Sequence, residues 1–273
     1  MPEKTAMERY YNHKNGRIYY SDRGQGLPVV LIHGYLENSE VWAGFADRLA
    51  RKYRVIAVDL PGHGRSDVFG DIHGMDFMAG LIKELLGEAD TGPVFMTGHS
   101  MGGYVTLAFA DLFPDLLKGY CLFHSHPFAD SPEIFEKREM DIGMVLSGNK
   151  DRIFPDSISR LFAKCNLEKY AGETERLKKI AAAIPERGII AALRGMMERP
   201  SRVEVMEDNN IPCLWLLGGM DNHIDSAEAT AKVQLSNKIK IAILKNSGHI
   251  GFIEEPERSF TLLDSFISSI QGE

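Results

Sequence analysis

Six short runs of apolar and β-branched residues alternate with helix-like segments, and this alternation constrains the fold more than any other feature of the chain. The runs lie at 28–34, 54–60, 93–98, 119–124, 213–219 and 239–245. Segments between them, such as DFMAGLIKELLGE and SMGGYVTLAFADLF, carry apolar residues at intervals of three and four. Buried strands separated by helices predict an α/β fold in which helices flank a mostly parallel central sheet. An earlier segment, GRIYYSDRG, is expected to form part of an antiparallel edge.

The alternation is interrupted once, over roughly eighty residues that contain helical segments and no convincing strand. This interval runs from Pro127 to about Asn210, and prolines punctuate its helices. The predicted helical segments are PEIFEKREMDIGMVL, SISRLFAKC at 157–165, ETERLKKIAAAI and RGIIAALRGMMER. We therefore expect a helical cap inserted into the core. The predicted division is a first core part at 1–126, the cap at 127–210 and a second core part at 211–273.

Charge and hydropathy exclude several classes of partner. The net charge is −7 at pH 7 and no basic patch is evident, so a nucleic-acid partner is not expected. No run reaches the roughly 18 apolar residues of a membrane span, and the N-terminal segment has no signal-peptide core. We expect a cytoplasmic protein that acts on a small molecule, without contact to a membrane; a homodimer is left open.

One serine stands between glycines where the third of these strands is followed by a helix. The motif is GHSMGG at 98–103, with Ser100 at its centre. A nucleophile on such a turn needs unusual backbone angles and small neighbours, which Gly98 and Gly102 provide. The N–H of Met101 at the helix start, and a second N–H at Tyr35 after the first strand, are placed to stabilise an oxyanion. A helix-capping serine is the alternative interpretation of Ser100.

A serine nucleophile needs a base and an orienting carboxylate. His249 lies between small residues just past the last strand, and Asp221 follows the strand CLWLLGG, with Asp225 as a nearby competitor. The order serine, acid, histidine along the chain is the order found in α/β-hydrolases.

Five motifs in this order resemble the α/β-hydrolase superfamily, in its serine-nucleophile, esterase-like branch. They are VVLIHGY at 29–35, VDLPGHGRSD at 58–67, GHSMGG at 98–103, LLGGMDNHID at 216–225 and SGHIGFIEEPE at 247–257. The resemblance implies Ser100 as nucleophile, His249 as general base and acid, and Asp221 as orienting acid. It also implies backbone donors at Tyr35 and Met101. Neither a metal nor an organic cofactor is implied.

The substrate pocket is less well specified than the triad. His124 and His126 alternate at a strand end and are expected to line it, as are Phe135 and Met144 of the cap. A metal pair at the two histidines is disfavoured because no third ligand is evident. Helical spacing in the cap is equally typical of a small apolar core.

These features predict a serine hydrolase that cleaves carboxylic esters of small to medium acyl groups through an acyl-enzyme. Other reactions of the same site remain open: carbon–carbon bond hydrolysis, thioester hydrolysis, lactone opening and perhydrolysis. A small-molecule receptor built on the same fold and a peptidase are further alternatives. Sequence motifs do not separate these reactions because they differ in the pocket rather than in the triad.

Overall fold

A computed structural model of the protein describes residues 7–14, 16–208 and 210–271. Within these ranges eight strands form one sheet, with the bounds Met7–His13 (β1), Gly16–Gly24 (β2), Pro28–Ile32 (β3), Arg54–Val58 (β4), Val94–His99 (β5), Leu117–Phe123 (β6), Cys213–Gly218 (β7) and Ile239–Leu244 (β8). Their spatial order is β1-β2-β4-β3-β5-β6-β7-β8. Strands β3 to β8 are parallel, whereas β1 and β2 are antiparallel additions at one edge. The predicted mostly parallel sheet is confirmed.

Eleven α-helices are assigned in the described residues. They are Ala43–Leu49 (α1), Met75–Glu88 (α2), Met101–Leu112 (α3), Pro132–Leu146 (α4), Lys150–Ser159 (α5), Ala171–Ala183 (α6), Glu186–Met197 (α7), Val203–Asp208 (α8), Ser226–Ala231 (α9), Gly251–Glu254 (α10) and Pro256–Gln271 (α11). None of the helices in the described part of the chain is long and apolar enough to cross a membrane.

The sheet core is apolar because its central strands are covered on both faces. All six residues of β7 are buried, and so are all six of β5. The rings of Trp42, Phe252 and Phe123 pack together beside β6, with 4.1 Å between the centroids of Trp42 and Phe252. Burial of such side chains contributes roughly 1.5–3 kcal/mol each, so this packing stabilises the sheet that carries the site.

Helices α4 to α8, which we call the insertion helices, lie between β6 and β7. No strand is assigned among the described residues of that interval, and α4 packs on α7 while α5 packs on α6. The structure differs from the sequence pattern at the segment 157–165, where one helix was expected. Helix α5 begins at Lys150 and ends at Ser159, and the chain then turns inward so that the carbonyl of Leu161 accepts the backbone N–H of His249 at 2.7 Å.

The strand order creates a crevice where β3 and β5 lie side by side. The chain leaves β3 toward β4 on one side, whereas β5 lies on its other side. In parallel sheets ligands bind beyond the carboxyl ends of strands at such a point. The loops that follow β3 and β5 carry Tyr35 and Ser100, so the topology brings these two predicted site residues to one edge.

Candidate active site

Ser100 occupies a strained turn between β5 and α3. Its backbone angles are φ 49° and ψ −116°, and its side chain does not cap the helix. The N–H of Ser100 donates to the carbonyl of Phe123 at 3.1 Å, and its own carbonyl accepts the hydroxyl of Ser125 at 2.8 Å. A non-glycine residue held at such angles costs on the order of 1–3 kcal/mol and is concentrated at functional sites. The capping alternative therefore does not describe Ser100.

Glycines around Ser100 are required by the close approach of β5, α3 and β3. A Cβ on Gly98 would lie 2.2 Å from the carbonyl oxygen of Gly102, and one on Gly102 would lie 2.5 Å from that of Ile32. A third position, Gly103, faces the Ser125 hydroxyl, which a Cβ would meet at 2.3 Å. The spacing of glycines in the motif thus follows from backbone packing beneath the serine.

His249 and Asp221 form a buried hydrogen-bonded pair. The Nδ1 atom of His249 lies 2.7 Å from Oδ2 of Asp221, while Oδ1 of Asp221 accepts the backbone N–H groups of His223 and Ile224 at 2.7 and 3.1 Å. Burial favours a higher pKa of Asp221, but the rings of His249 and His124 outweigh it and hold that pKa well below its usual value. Asp221 is therefore a carboxylate that fixes Nδ1–H of His249 and leaves Nε2 as the free ring nitrogen.

Asp225, the competing acid in the sequence, serves a different purpose. Its Oδ1 atom accepts the N–H groups of Ala227 and Glu228, both at 2.9 Å, at the start of α9. Asp225 is thus a helix cap, and the carboxylate that reaches His249 belongs to Asp221.

The structure corrects the expected position of His124. Its ring is 0% exposed and lies behind Asp221 rather than on the cavity wall, with Nδ1 3.6 Å from Oδ2 of the carboxylate. Its Nε2 accepts the backbone N–H of Gly251 at 3.0 Å, so the ring proton is on Nδ1 and faces Asp221. The cause is a backbone φ of 46° at His124, which breaks the strand alternation that would have put it on the face of His126.

A cavity of about 380 Å³ opens above Ser100 and His249. Both residues line it together with Tyr35, and the insertion helices supply another wall through residues of α4, α5 and α7. His126 also lines this cavity. Phe135 and Met144 are not among the lining residues: Phe135 is 40% exposed on α4, and Met144 packs against the apolar core. Those two assignments are corrected, because α4 presents its Arg138 face to the cavity.

Three histidines beside this cavity are kept uncharged by burial. Desolvation lowers the pKa of His124 to about 4, and that of His126 and His223 to about 3. His223 lines the cavity with its ring centroid 4.8 Å from that of His249. His223 was not predicted from the sequence, although it lies only two residues after Asp221.

A second residue missed in the sequence is Arg138, whose guanidinium lies at the cavity wall. Its Nε and Nη2 atoms bind both oxygens of Asp130, at 2.7 and 3.2 Å. The same Asp130 accepts Nη1 of Arg199 at 2.7 Å, and the side chains of Asp130 and Arg199 are 2% and 3% exposed. Two guanidinium groups therefore share one carboxylate beside the cavity.

The predicted backbone donors lie on either side of Ser100. Met101 is the first residue of α3, and the loop of Tyr35 approaches so closely that a Cβ on Gly34 would be 3.2 Å from Cβ of Ser100. Leu36, Ser100 and His124 all have positive φ, so backbone strain is concentrated here. For metals, no group of three or more His, Cys, Asp or Glu side chains suited to binding an ion occurs in the ranges that the structure describes.

Comparisons with known proteins agree with this architecture. The family model for the alpha/beta hydrolase fold matches residues 28–256. An esterase from Thermogutta terrifontis, described as thermophilic and with malate bound, superposes with a TM-score of 0.90 and 28% identity, covering 98% of this chain and 99% of that one.

Two curated relatives are enzymes whose names give different substrates. The (E)-2-((N-methylformamido)methylene)succinate hydrolase of Acinetobacter baylyi is 28% identical over 252 residues, which is 89% of this chain and 91% of that protein. A pimeloyl-(acyl-carrier protein) methyl ester esterase of Aeromonas hydrophila is 25% identical over 253 residues, which is 89% of this chain and 96% of that one. Both relatives are hydrolytic enzymes, and the alignments cover nearly the whole length of each.

Proposed function

The chain belongs to the α/β-hydrolase family, and from this membership we propose that it is a serine hydrolase that cleaves carboxylic esters of small to medium acyl groups through an acyl-enzyme. One observation carries the proposal: the strained Ser100 lines the same cavity as His249, which is hydrogen-bonded to Asp221. The esterase names of two relatives support an ester as the bond that is cleaved.

The proposed reaction has two steps, acylation of Ser100 and hydrolysis of the acyl-enzyme, and His249 transfers protons in both. Nε2 of His249 takes the hydroxyl proton of Ser100 while the Ser100 oxygen attacks the ester carbonyl, and Asp221 stabilises the resulting imidazolium. The N–H groups of Tyr35 and Met101 bind the oxyanion. Collapse of the tetrahedral intermediate breaks the carbon–oxygen bond, and His249 returns its proton to the leaving alcohol. Water activated by His249 then releases the acid and frees Ser100.

The cavity favours a short and polar acyl group over a long aliphatic one. Six charged side chains line it, namely Asp130, Lys137, Arg138, Asp141, Glu228 and Lys232. Lys232 is paired with Glu228 at 2.6 Å, whereas Arg138 shares its partner Asp130 with Arg199. We propose that Arg138 binds a carboxylate on the substrate, because its guanidinium shares the single carboxylate of Asp130 with Arg199. A relative that acts on a succinate derivative and an esterase with malate bound support this class.

This substrate class predicts a preference between two esters of equal acyl length. Monoethyl succinate is expected to exceed ethyl butyrate in kcat/KM, and Arg138→Gln should remove that advantage through KM, by about 10- to 100-fold, the range of a lost charge-assisted hydrogen bond. Hydrolysis of ethyl butyrate should change little, and the exposed Arg152→Gln should leave both esters unaffected. Equal losses on both esters in Arg138→Gln would refute a carboxylate contact.

The reaction class itself is tested by covalent labelling. A fluorophosphonate should add once to the folded protein, and tandem mass spectrometry should locate the adduct on Ser100, since the proposed base and donors activate that hydroxyl alone. The receptor alternative predicts neither adduct nor turnover in a folded protein. An adduct on another residue would reject Ser100 as the nucleophile.

A further inference from the structure

His99, the residue before Ser100, has a fully buried ring with both nitrogens in contact with oxygen atoms. Its Nδ1 lies 2.9 Å from Oε2 of Glu37, and its Nε2 lies 2.7 Å from the backbone carbonyl oxygen of His249. The side chains of His99 and Glu37 are 0% and 1% exposed. The mechanism above uses neither side chain, yet they lie directly beneath its reacting groups.

The contacts of His99 place one proton on Nε2 and allow a second one on Nδ1. A carbonyl oxygen only accepts, so Nε2 of His99 carries a proton and donates to His249. Oε2 of Glu37 already accepts the backbone N–H of Gly34 at 2.7 Å, and a second N–H from Nδ1 of His99 completes its hydrogen bonding. The raised pKa of His99 and the lowered pKa of Glu37 favour the arrangement in which both ring nitrogens donate, an imidazolium beside a carboxylate.

Other titratable groups around the ring are consistent with this charge state. The rings of His249 and His124 lie 5.1 and 6.3 Å away, and a charge on either would oppose an imidazolium, but His124 is neutral. Asp221 favours the imidazolium, and His33 lies near Glu37 with its own pKa lowered to about 4 by burial. Burial opposes both charges, but Glu37 raises the pKa of His99, and His99 lowers that of Glu37.

The pair connects three segments of the active site. Glu37 and Gly34 belong to the loop after β3, His99 to the turn of Ser100, and the carbonyl to the loop of His249. The packing leaves no room at their junction, since a Cβ on Gly34 would lie 2.9 Å from Nδ1 of His99 and 3.0 Å from Oε2 of Glu37. Glu37 therefore holds the N–H of Gly34 by a hydrogen bond. The next N–H along the chain is that of Tyr35, the proposed oxyanion donor, so the position of Tyr35 depends on this contact.

We propose that His99 and Glu37 form a buried imidazolium–carboxylate positioning pair that holds the Gly34–Tyr35 loop against Ser100 and the loop of His249. The proposal rests on the function proposed for Ser100 and His249. The pair touches no substrate; it keeps the Tyr35 N–H in place before the oxyanion forms, which is the condition for a donor that costs no reorganisation during reaction.

The variant Glu37→Gln separates this role from simple packing. In the proposed pair, Oε2 of Glu37 accepts both the N–H of Gly34 and Nδ1–H of His99. A glutamine that places its amide oxygen there keeps both hydrogen bonds but leaves the buried imidazolium without a counter-charge. A glutamine that places its NH₂ there cannot accept the N–H of Gly34. We expect kcat to fall about 10- to 100-fold, the effect of a small misplacement of catalytic groups, with KM changed less than about threefold. The exposed Glu40→Gln on the same loop should leave kcat unchanged.

The charge state is measured independently of turnover by ¹⁵N NMR of the histidine rings. Wild type should show one ring with protons on both nitrogens that persists at pH 8, where an ordinary histidine is neutral. In Glu37→Gln this signal should be lost. If that variant does not fold, the wild-type spectrum alone decides the charge, and a wild-type His99 with a single N–H overturns the proposal.

Other outcomes are equally decisive. A Glu37→Gln protein that folds and retains wild-type kcat overturns the positioning role, and so does one in which only KM changes. Failure of wild type to react with the fluorophosphonate would reject the proposed hydrolase, whereas normal labelling with unchanged kcat in Glu37→Gln would reject the positioning pair alone.

Discussion

Replacing Ser100 by alanine is expected to lower kcat for ester hydrolysis by about 10⁵- to 10⁶-fold, because the variant lacks the hydroxyl that forms the proposed acyl-enzyme. The variant should remain folded. The Ser100 side chain makes no capping bond to α3, and alanine keeps the same Cβ in the same strained backbone. Initial rates with monoethyl succinate and thermal melting by circular dichroism measure the two effects separately.

A second substitution at Ser100 isolates the strain from the chemistry. Ser100→Gly should be as inactive as Ser100→Ala, but its melting temperature should rise, since glycine adopts a positive φ without steric cost. The exposed Ser147→Ala is the matched control and should retain wild-type kcat. Turnover in Ser100→Ala above about 1% of wild type would show that a different residue forms the covalent intermediate, because the non-covalent contributions that survive such a loss are far smaller.

The fold was predictable from the sequence where the burial of apolar residues determines the structure. Strands β3 to β7 are mostly buried, and the edge strand β8 is half-buried, so their apolar runs were visible, and the fold class is confirmed. Strand β1 was missed because Met7–His13 is mostly exposed and is held by hydrogen bonds to β2 rather than by a buried face. The bounds of α5 were missed because a tertiary hydrogen bond to His249 decides where the chain turns inward.

The residues of the candidate site differ in how far local sequence specifies them. Ser100, Asp221 and His249 each follow a strand end, and strand ends are visible as the last residues of apolar runs. Glu37 and His99 are separated by 62 positions along the chain, and no local pattern joins them. Arg138 lies on a helix that is otherwise largely exposed, so its approach to Asp130 depends on how α4 docks.

The orienting role of Asp221 gives the second large prediction, because an asparagine at this position has a forced orientation. Oδ1 of Asp221 accepts two backbone N–H groups, so the asparagine oxygen will remain there and its NH₂ will face Nδ1 of His249. Nδ1 must then accept, which moves the ring proton to Nε2. With Nε2 protonated, His249 cannot take the proton of Ser100, and kcat should fall by about 10⁴-fold, as expected for the wrong histidine tautomer in a Ser-His-Asp triad.

Asp225→Asn is the matched control for Asp221→Asn, because it removes the same charge four residues away. Asparagine caps a helix as well as aspartate does, so α9 should remain intact and kcat should be unchanged. The melting temperature of Asp221→Asn reports whether the fold survives, and fluorophosphonate labelling of Ser100 should slow in parallel with kcat. If Asp225→Asn lost activity while Asp221→Asn kept it, the orienting acid would be Asp225, and the 2.7 Å contact between Asp221 and His249 would be structural only.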